Sequence, residues 1–276
     1  MALGLQIERN GRAVRLKWHR ARRFATDTAF TGARLVEGLQ AGASVEIDIN
    51  RHGSGGFAVL HDPRLDRETT GSGAVAEADP VALRDLFLRD NAGHPTAEPL
   101  MLLEDIADLL ANCEAAPGAL LQLDIKTEAD DLTEADLASF RKAVGRMGVE
   151  VILSSDDAVA VRMLAGAALG VLIGHDPCHG RLVDALGRDH DFGAFVREAL
   201  AENPDATMIY LAIPIVLAAD DNGYNMVAAF QDAGRRVDAW TMQEPDAAVL
   251  RRLLDLGVDQ ITTDDPVAVE RAAARL

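Results

Sequence analysis

The sequence predicts an α/β protein: a (β/α)8 TIM barrel with a small insertion between the second strand and the third. Three observations lead there. The chain has 276 residues, which suits one barrel domain spanning 1–276. Short β-rich apolar runs alternate with amphipathic stretches, a pattern that argues for a parallel sheet. There are eight such runs, the number that closes a barrel. An open doubly wound sheet is the structural alternative. It would usually carry a glycine-rich phosphate turn after its first strand, and "WHRARRF" at 18–24 is not one.

Taken in order, the first strand is expected at 14–19, where Val14, Leu16 and Trp18 alternate with Arg15, Lys17 and His19. A helix at 31–41 leads to the second strand, "SVEIDIN" at 44–50, in which Val45, Ile47 and Ile49 alternate with Glu46 and Asp48. The chain from there to the third strand is too long for one βα unit. Its first part, about 51–98, includes "GSGGFAVLHDPRLDRETTGSG" with turn signals at both ends. It reads as an insertion at one mouth of the barrel, and long loops in compact domains are often functional. The third strand is expected at 119–126, around "LQLDIK", and a helix at 134–147. Strands follow at 150–155, 169–175, 207–213, 236–242 and 260–264, with helices at 156–165, 225–233, 247–256 and 267–274. No linker or low-complexity tract is visible.

Composition narrows the function. Apolar residues make up 49% of the chain and aromatics only 4%, so a large aliphatic core is expected. A formal charge of −17 repels polyanions and anionic bilayers, so neither nucleic acid nor stable membrane association is expected. A small molecule remains as the partner, and a homo-oligomer stays an open option. Cys113 and Cys178 are the only cysteines; they make no disulfide framework, and reduced thiols in the cytoplasm are the expectation. The first residues, "MALGLQIERNGRAVR", carry charges where a signal peptide needs an apolar run. No uncharged apolar stretch is long enough for a membrane span.

The alternation on the strands points to chemistry. Outer faces of barrel strands pack on helices and must be apolar, so Glu46, Asp48, Gln122, Asp124 and Lys126 face inward. Glu46, Asp48, Asp124, Lys126 and His19 fall toward the ends of their strands, where barrel active sites lie. Three buried carboxylates stay ionised only when cations compensate them. Lys126 supplies one charge, and a divalent metal, which takes oxygen ligands, would supply two more. The bland alternative is a structural salt-bridge layer with Arg15 and Lys17. His61, in "FAVLHDP", can exchange a proton near neutral pH.

The segments "HR" after the first strand, "EID" on the second, "VLHDPRLDRETTGSG" after it, "LDIK" on the third, "DAWTM" on the seventh and "GVDQITTDDP" on the eighth resemble the glycerophosphodiester phosphodiesterase family, in order and over nearly the whole chain. The resemblance implies a TIM barrel with an insertion after the second strand. It implies hydrolysis of glycerophosphodiesters to an alcohol and glycerol phosphate, with one divalent cation, Mg2+ or Ca2+, with Mn2+ a further option. Position by position, Glu46, Asp48 and Asp124 match its metal ligands, and His19 and His61 its general acid–base pair. Arg20 and Lys126 match the cations that hold the phosphate, and Trp240 the aromatic near the substrate. Such a metal polarises a phosphoryl oxygen, and the cations stabilise charge growing on phosphate.

The chain departs from the family pattern in three places. Ala21 replaces the usual Gly after "HR", only Thr31 remains of a usual Glu-Asn-Thr turn, and Asp124 replaces a usual Glu. The Glu-Asp-Asp-Lys set also resembles sphingomyelinase D-like phospholipases. That leaves two further readings: a phospholipase D-like activity on lysolipids or sphingolipids, and a non-catalytic phosphodiester-binding barrel. Outside the resemblance, "HDPCHG" at 175–180 offers a weak zinc motif whose likelier reading is a polar loop at the barrel mouth. Ser154 and Ser155 end the fourth strand, to touch substrate or cap the next helix. Asp264 and Asp265 are expected to cap the last helix, with Pro266 in its first turn.

Overall fold

A computed structural model describes residues 2–9 and 11–276. Eight parallel strands close on themselves: Arg12–Trp18, Ser44–Arg51, Leu120–Ile125, Glu150–Ser154, Leu172–His175, Met208–Ala212, Arg236–Met242 and Gln260–Thr263. Closure is made where the eighth strand pairs with the first, Thr262 opposite Lys17, while the first pairs with the second, Lys17 opposite Ser44. The predicted TIM barrel is thus the observed one. Each of the eight expected strands is present, shifted by a few residues at most at either end. The fifth begins later than expected because Leu169 and Gly170 form the turn after helix Ala158–Ala167; Leu169 is fully exposed and Gly170 has φ +79°.

The alternation sorts side chains as expected. Val45, Ile47, Ile49, Leu121, Leu123 and Ile125 are fully buried against the outer helices. The barrel interior is layered. At its base Leu120, Ile152 and Met208 form a small apolar plug with Leu172, and Tyr210 lies above it. Above the plug the inward residues become polar. A short strand, Gln6–Arg9, runs antiparallel to the first barrel strand. Helices Gly180–Asp189, Phe192–Glu202 and Ile213–Asp221 occupy stretches in which the sequence reading names no helix.

The insertion follows the second strand. Strand Phe57–Val59 doubles back antiparallel to the end of that strand, Ile49 opposite Val59. A 3-10 turn, Val75–Glu77, a short helix, Pro80–Arg84, and a hairpin of Phe87–Arg89 with Pro95–Pro99 come next. Helix Leu103–Leu110 then resumes the barrel's outer layer. Among the described residues no helix is long and apolar enough to cross a membrane.

Candidate active site

The mouth of the barrel gathers the acids first. Asp48 and Asp124 stand opposite each other in register, and Glu46 lies two residues before Asp48 on the same inward face. One carboxylate oxygen from each of Glu46, Asp48 and Asp124 lies within 4.8 Å of the others. Glu46 and Asp48 are buried, and Asp48 Oδ2 is a buried oxygen with no hydrogen-bond partner. Burial pushes the Glu46 carboxyl well up from its ordinary range, and the neighbouring Asp48 and Asp124 push it further. Asp48 is also penalised by burial, yet Lys126 and Arg20 hold it below the usual carboxylate range. Lys126 bonds Asp124 and lies 3.2 Å from Asp48; these acids outweigh its own desolvation and raise its affinity for the proton. With all three acids ionised, the site would carry more negative charge than Lys126 and Arg20 compensate, and a buried oxygen of Asp48 accepts no hydrogen bond; the set suits a divalent cation held by Glu46, Asp48 and Asp124.

His19 and Arg20 sit in a tight 3-10 turn, His19–Ala21, directly after the first strand. Arg20 and Ala21 both have left-handed backbone, φ 54° and 55°. The turn brings the Arg20 backbone N–H to Glu46 Oε2 at 2.6 Å and its Nε to 3.3 Å from Asp48. His19 Nδ1 meets Asp264 Oδ1 at 2.5 Å, and the same oxygen accepts from Arg22 at 2.7 Å. Burial lowers the His19 pKa against the pull of Asp264, and Asp264 in turn is held low by His19 despite its own burial. An imidazole fixed through Nδ1 keeps Nε2 for other work.

His61 comes from the insertion. Asn50, at the end of the second strand, donates to the carbonyls of Leu60 and His61 at 2.8 and 3.1 Å. Glu68 Oε2 accepts the N–H groups of His61 and Asp62 at 2.8 and 3.0 Å. The His61 ring lies 3.1 Å from Asp62, which Arg67 grips with two hydrogen bonds, lowering its pKa to about 2. Thus "HDPRLDRE" is a self-braced turn that presents a histidine to the barrel.

Below and across from these groups lie further polar residues. Lys17, only 2% exposed, bonds Gln122, lies 3.3 Å from Asp238 and sits 4.3 Å over the Tyr210 ring. Gln122 donates to Ser154, and Ser154 bonds Asp124. Asp176, after the fifth strand, has its carboxyl pKa raised to about 7 by burial. One cavity of about 250 Å³ is lined by His19, Arg20, Glu46, Asp48, His61, Asp124, Lys126 and Trp240. All eight residues named from the sequence therefore line one cavity, joined at its edge by Asp176 and from below by Lys17 and Tyr210.

Some expectations need correction. Asp265 caps the last helix through the N–H of Ala268, but Asp264 faces His19 and Arg22 instead. Asp157, not a serine, caps helix Ala158–Ala167; Ser154 joins the acid cluster and Ser155 bonds the Ile125 carbonyl. Arg15 and Lys17 do not neutralise the acid cluster as a salt-bridge layer: Arg15 donates to the Gly42 carbonyl and Lys17 is taken by Gln122 and Asp238. The "HDPCHG" residues form no metal-ligand cluster among the described residues.

Comparison with known proteins agrees with this geometry. The model of the glycerophosphoryl diester phosphodiesterase family matches residues 31–268. A Mycobacterium tuberculosis protein named "Probable glycerophosphodiester phosphodiesterase 2" is 26% identical over 222 residues, 80% of this chain and 75% of the relative. Among solved structures, an Oleispira antarctica phosphodiesterase in complex with the product sn-glycerol-3-phosphate superposes with a TM-score of 0.67 at 19% identity, covering 94% of this chain and 96% of that one. A Parabacteroides distasonis glycerophosphodiester phosphodiesterase gives 0.68 at 18% identity, over 94% and 96%. The chain belongs to the glycerophosphoryl diester phosphodiesterase family and is a phosphoric diester hydrolase.

Proposed function

We propose that the chain, acting as one domain, hydrolyses glycerophosphodiesters to an alcohol and glycerol phosphate. The observation that carries this reading is the convergence of three carboxylates, two histidines and two cationic side chains on a single cavity. The Oleispira neighbour holds glycerol phosphate as product, which fits the same substrate class. A divalent cation, Mg2+ or Ca2+ with Mn2+ as the further option, would be held by Glu46, Asp48 and Asp124 and would polarise a phosphoryl oxygen.

The remaining steps belong to the side chains. Arg20 and Lys126 border the cavity and stabilise charge that grows on the phosphoryl oxygens. Burial favours neutral His19, and Asp264 on Nδ1 leaves the Nε2 lone pair to take the nucleophile's proton. His61, with its side chain 36% exposed and Asp62 on Nδ1, gives a proton to the departing alkoxide. When water is the nucleophile, the new P–O bond forms as the bond to the alcohol breaks; when a neighbouring hydroxyl of the substrate attacks, the alcohol leaves a cyclic phosphate, which water then opens to glycerol phosphate. Trp240 borders the same cavity and contacts the organic part of the substrate.

The test is turnover by metal-stripped protein re-supplied with Mg2+, Ca2+ or Mn2+. Ion-dependent release of glycerol phosphate from glycerophosphocholine and glycerophosphoethanolamine is expected, with little cleavage of lysophosphatidylcholine. Preferential cleavage of lysophosphatidylcholine would move the chain to the lysolipid reading. Absence of turnover with every ion would leave a binding barrel.

A further inference from the structure

Two residues that border the cavity, Asp176 and Tyr210, have no task in the chemistry above. Asp176 follows the fifth strand and borders the cavity. Its Oδ1 is occupied by the N–H of Cys178 at 2.8 Å. Its Oδ2 has no hydrogen-bond partner among the described residues. Tyr210, from the sixth strand, also borders the cavity, and its buried hydroxyl has no partner. The Tyr210 ring lies where a side chain at residue 174 would stand: a Cβ on Gly174 would come within 2.5 Å of it. Asp176 lies two residues past Gly174, just beyond the strand's end, and the missing side chain at 174 admits the ring to the cavity that Asp176 borders. The indole N–H of Trp240 is a second buried polar group without a partner on this cavity.

Buried donors and acceptors are nearly always paired in a native protein. Two buried donors left open around one small cavity, beside a carboxylate oxygen that reaches the same cavity, indicate that the partner is a ligand bearing hydroxyl groups, since a hydroxyl both gives and accepts a hydrogen bond. The phosphate is already matched by Arg20 and Lys126, and a carboxyl at 176 would repel it. We propose that Asp176 and the Tyr210 hydroxyl form a subsite for the vicinal hydroxyl groups of the glycerol moiety, and so select glycerol phosphodiesters from other phosphodiesters. Asp176 accepts from one hydroxyl through Oδ2, and Tyr210 donates to the other. The Asp176 carboxyl, raised to about 7 by burial, regains favourable interactions when a hydroxyl covers it. This subsite rests on the phosphodiesterase reading for its biological role, but binding tests it separately.

Two measurements decide the matter, both on the full chain with Mg2+. In the first, wild type, Asp176→Ala, Asp176→Asn and Tyr210→Phe are titrated with sn-glycerol 3-phosphate and with methyl phosphate. Wild type is expected to prefer glycerol phosphate by about tenfold or more, the range set by a hydrogen bond to a charged acceptor. Asp176→Ala should erase the preference and Tyr210→Phe should reduce it, each leaving methyl phosphate affinity nearly unchanged. Tyr210→Phe keeps the ring over Gly174 and so serves if the aspartate variants fold poorly. In the second, kcat/KM is measured for glycerophosphocholine and for bis(4-nitrophenyl) phosphate, which has no glycerol. A loss of about 10- to 100-fold is expected for the former in Asp176→Ala, with the latter within about twofold. Equal affinity of wild type for the two phosphates, or a preference that survives in both Asp176→Ala and Tyr210→Phe, overturns the subsite. A preference without any turnover would retain the subsite and overturn the phosphodiesterase reading.

Discussion

Two polar layers inside the barrel, a floor resting on the apolar plug and the mouth above it, handle charge in opposite ways. On the floor, Asp238 has a partner for each oxygen: Gln260 at 2.5 Å, Thr262 at 2.6 Å and the Lys17 ammonium at 3.3 Å. Lys17 is likewise held by Gln122 and the Tyr210 ring. Toward the mouth, Glu46, Asp48 and Asp124 crowd together, and Asp48 Oδ2 accepts no hydrogen bond, with only the Arg20 Nε ion pair at 3.3 Å beside it. A buried charge whose oxygens are all matched, as at Asp238, fixes one arrangement, whereas an unmatched one at the mouth stores a demand for a ligand. Mutations on the floor should therefore act on stability, and mutations at the mouth on activity.

The largest effect expected at the mouth is on rate. His19→Ala and His61→Ala should each lower turnover of glycerophosphocholine by about 10²–10⁴-fold, while the rise in melting temperature on adding the divalent cation persists. The two losses should not multiply, because both groups serve one proton-transfer cycle. An unchanged rate in either variant would show that the mouth does not use its histidines as acid and base.

The floor should answer differently. Lys17→Met leaves Asp238 buried without its cation and should cost about 3–5 kcal/mol in denaturant unfolding. Glu46→Gln, measured without added cation, should cost little or even stabilise, because it removes a carboxyl whose charged form the fold disfavours. The same Gln variant should lose most of the cation-induced melting shift. If both variants lose equal stability, the distinction between floor and mouth fails.

A smaller effect concerns pH. Asp176 titrates at about 7 in the fold against 3.8 as a free side chain. The unfolded chain thus gives up this proton earlier than the fold does. Its contribution is neutral below about 3.8, becomes destabilising as pH rises, and is complete above about 7. Relative to wild type, Asp176→Asn should gain stability between pH 4 and about 8. A difference between the two proteins that is flat with pH would place the Asp176 proton elsewhere.

The smallest effect is at Ala21. Relief of its left-handed backbone by Ala21→Gly is worth about 1–2 kcal/mol. The loss of a buried methyl, about 0.8 kcal/mol, and the greater freedom of glycine in the unfolded chain, about 0.5–1 kcal/mol, offset it. A net change under about 1 kcal/mol is expected from thermal or chemical unfolding. A larger gain would mean that the Ala21 methyl contributes nothing to packing.

Most of the mouth is legible because strand periodicity is local. "SVEIDIN" and "LQLDIK" place their acids on one face by a period of two, and closure of the sheet turns that face inward. Lys17 is on the same alternation as His19, but nothing in the sequence indicates that its partner is Asp238, more than two hundred residues on. Asp264 was misread for a related reason. Two aspartates before a proline look like a double helix cap, and only the packing of the eighth strand beside the first shows that one of them faces His19. Asp176 lay in a motif that suggested zinc, and its role as a wall of the cavity depends on Gly174 admitting Tyr210 from the next strand.

By itself, then, the sequence determined the eight-strand barrel, the inward acids, the histidines and the family, because alternation and motif spacing are properties of neighbouring residues. The tertiary structure alone decided which groups are paired and which are left open. Whether a buried charge is satisfied depends on side chains brought together by barrel closure from distant strands, and at Asp238 and Asp48 it sorts two similar acids into a structural one and one that awaits a ligand.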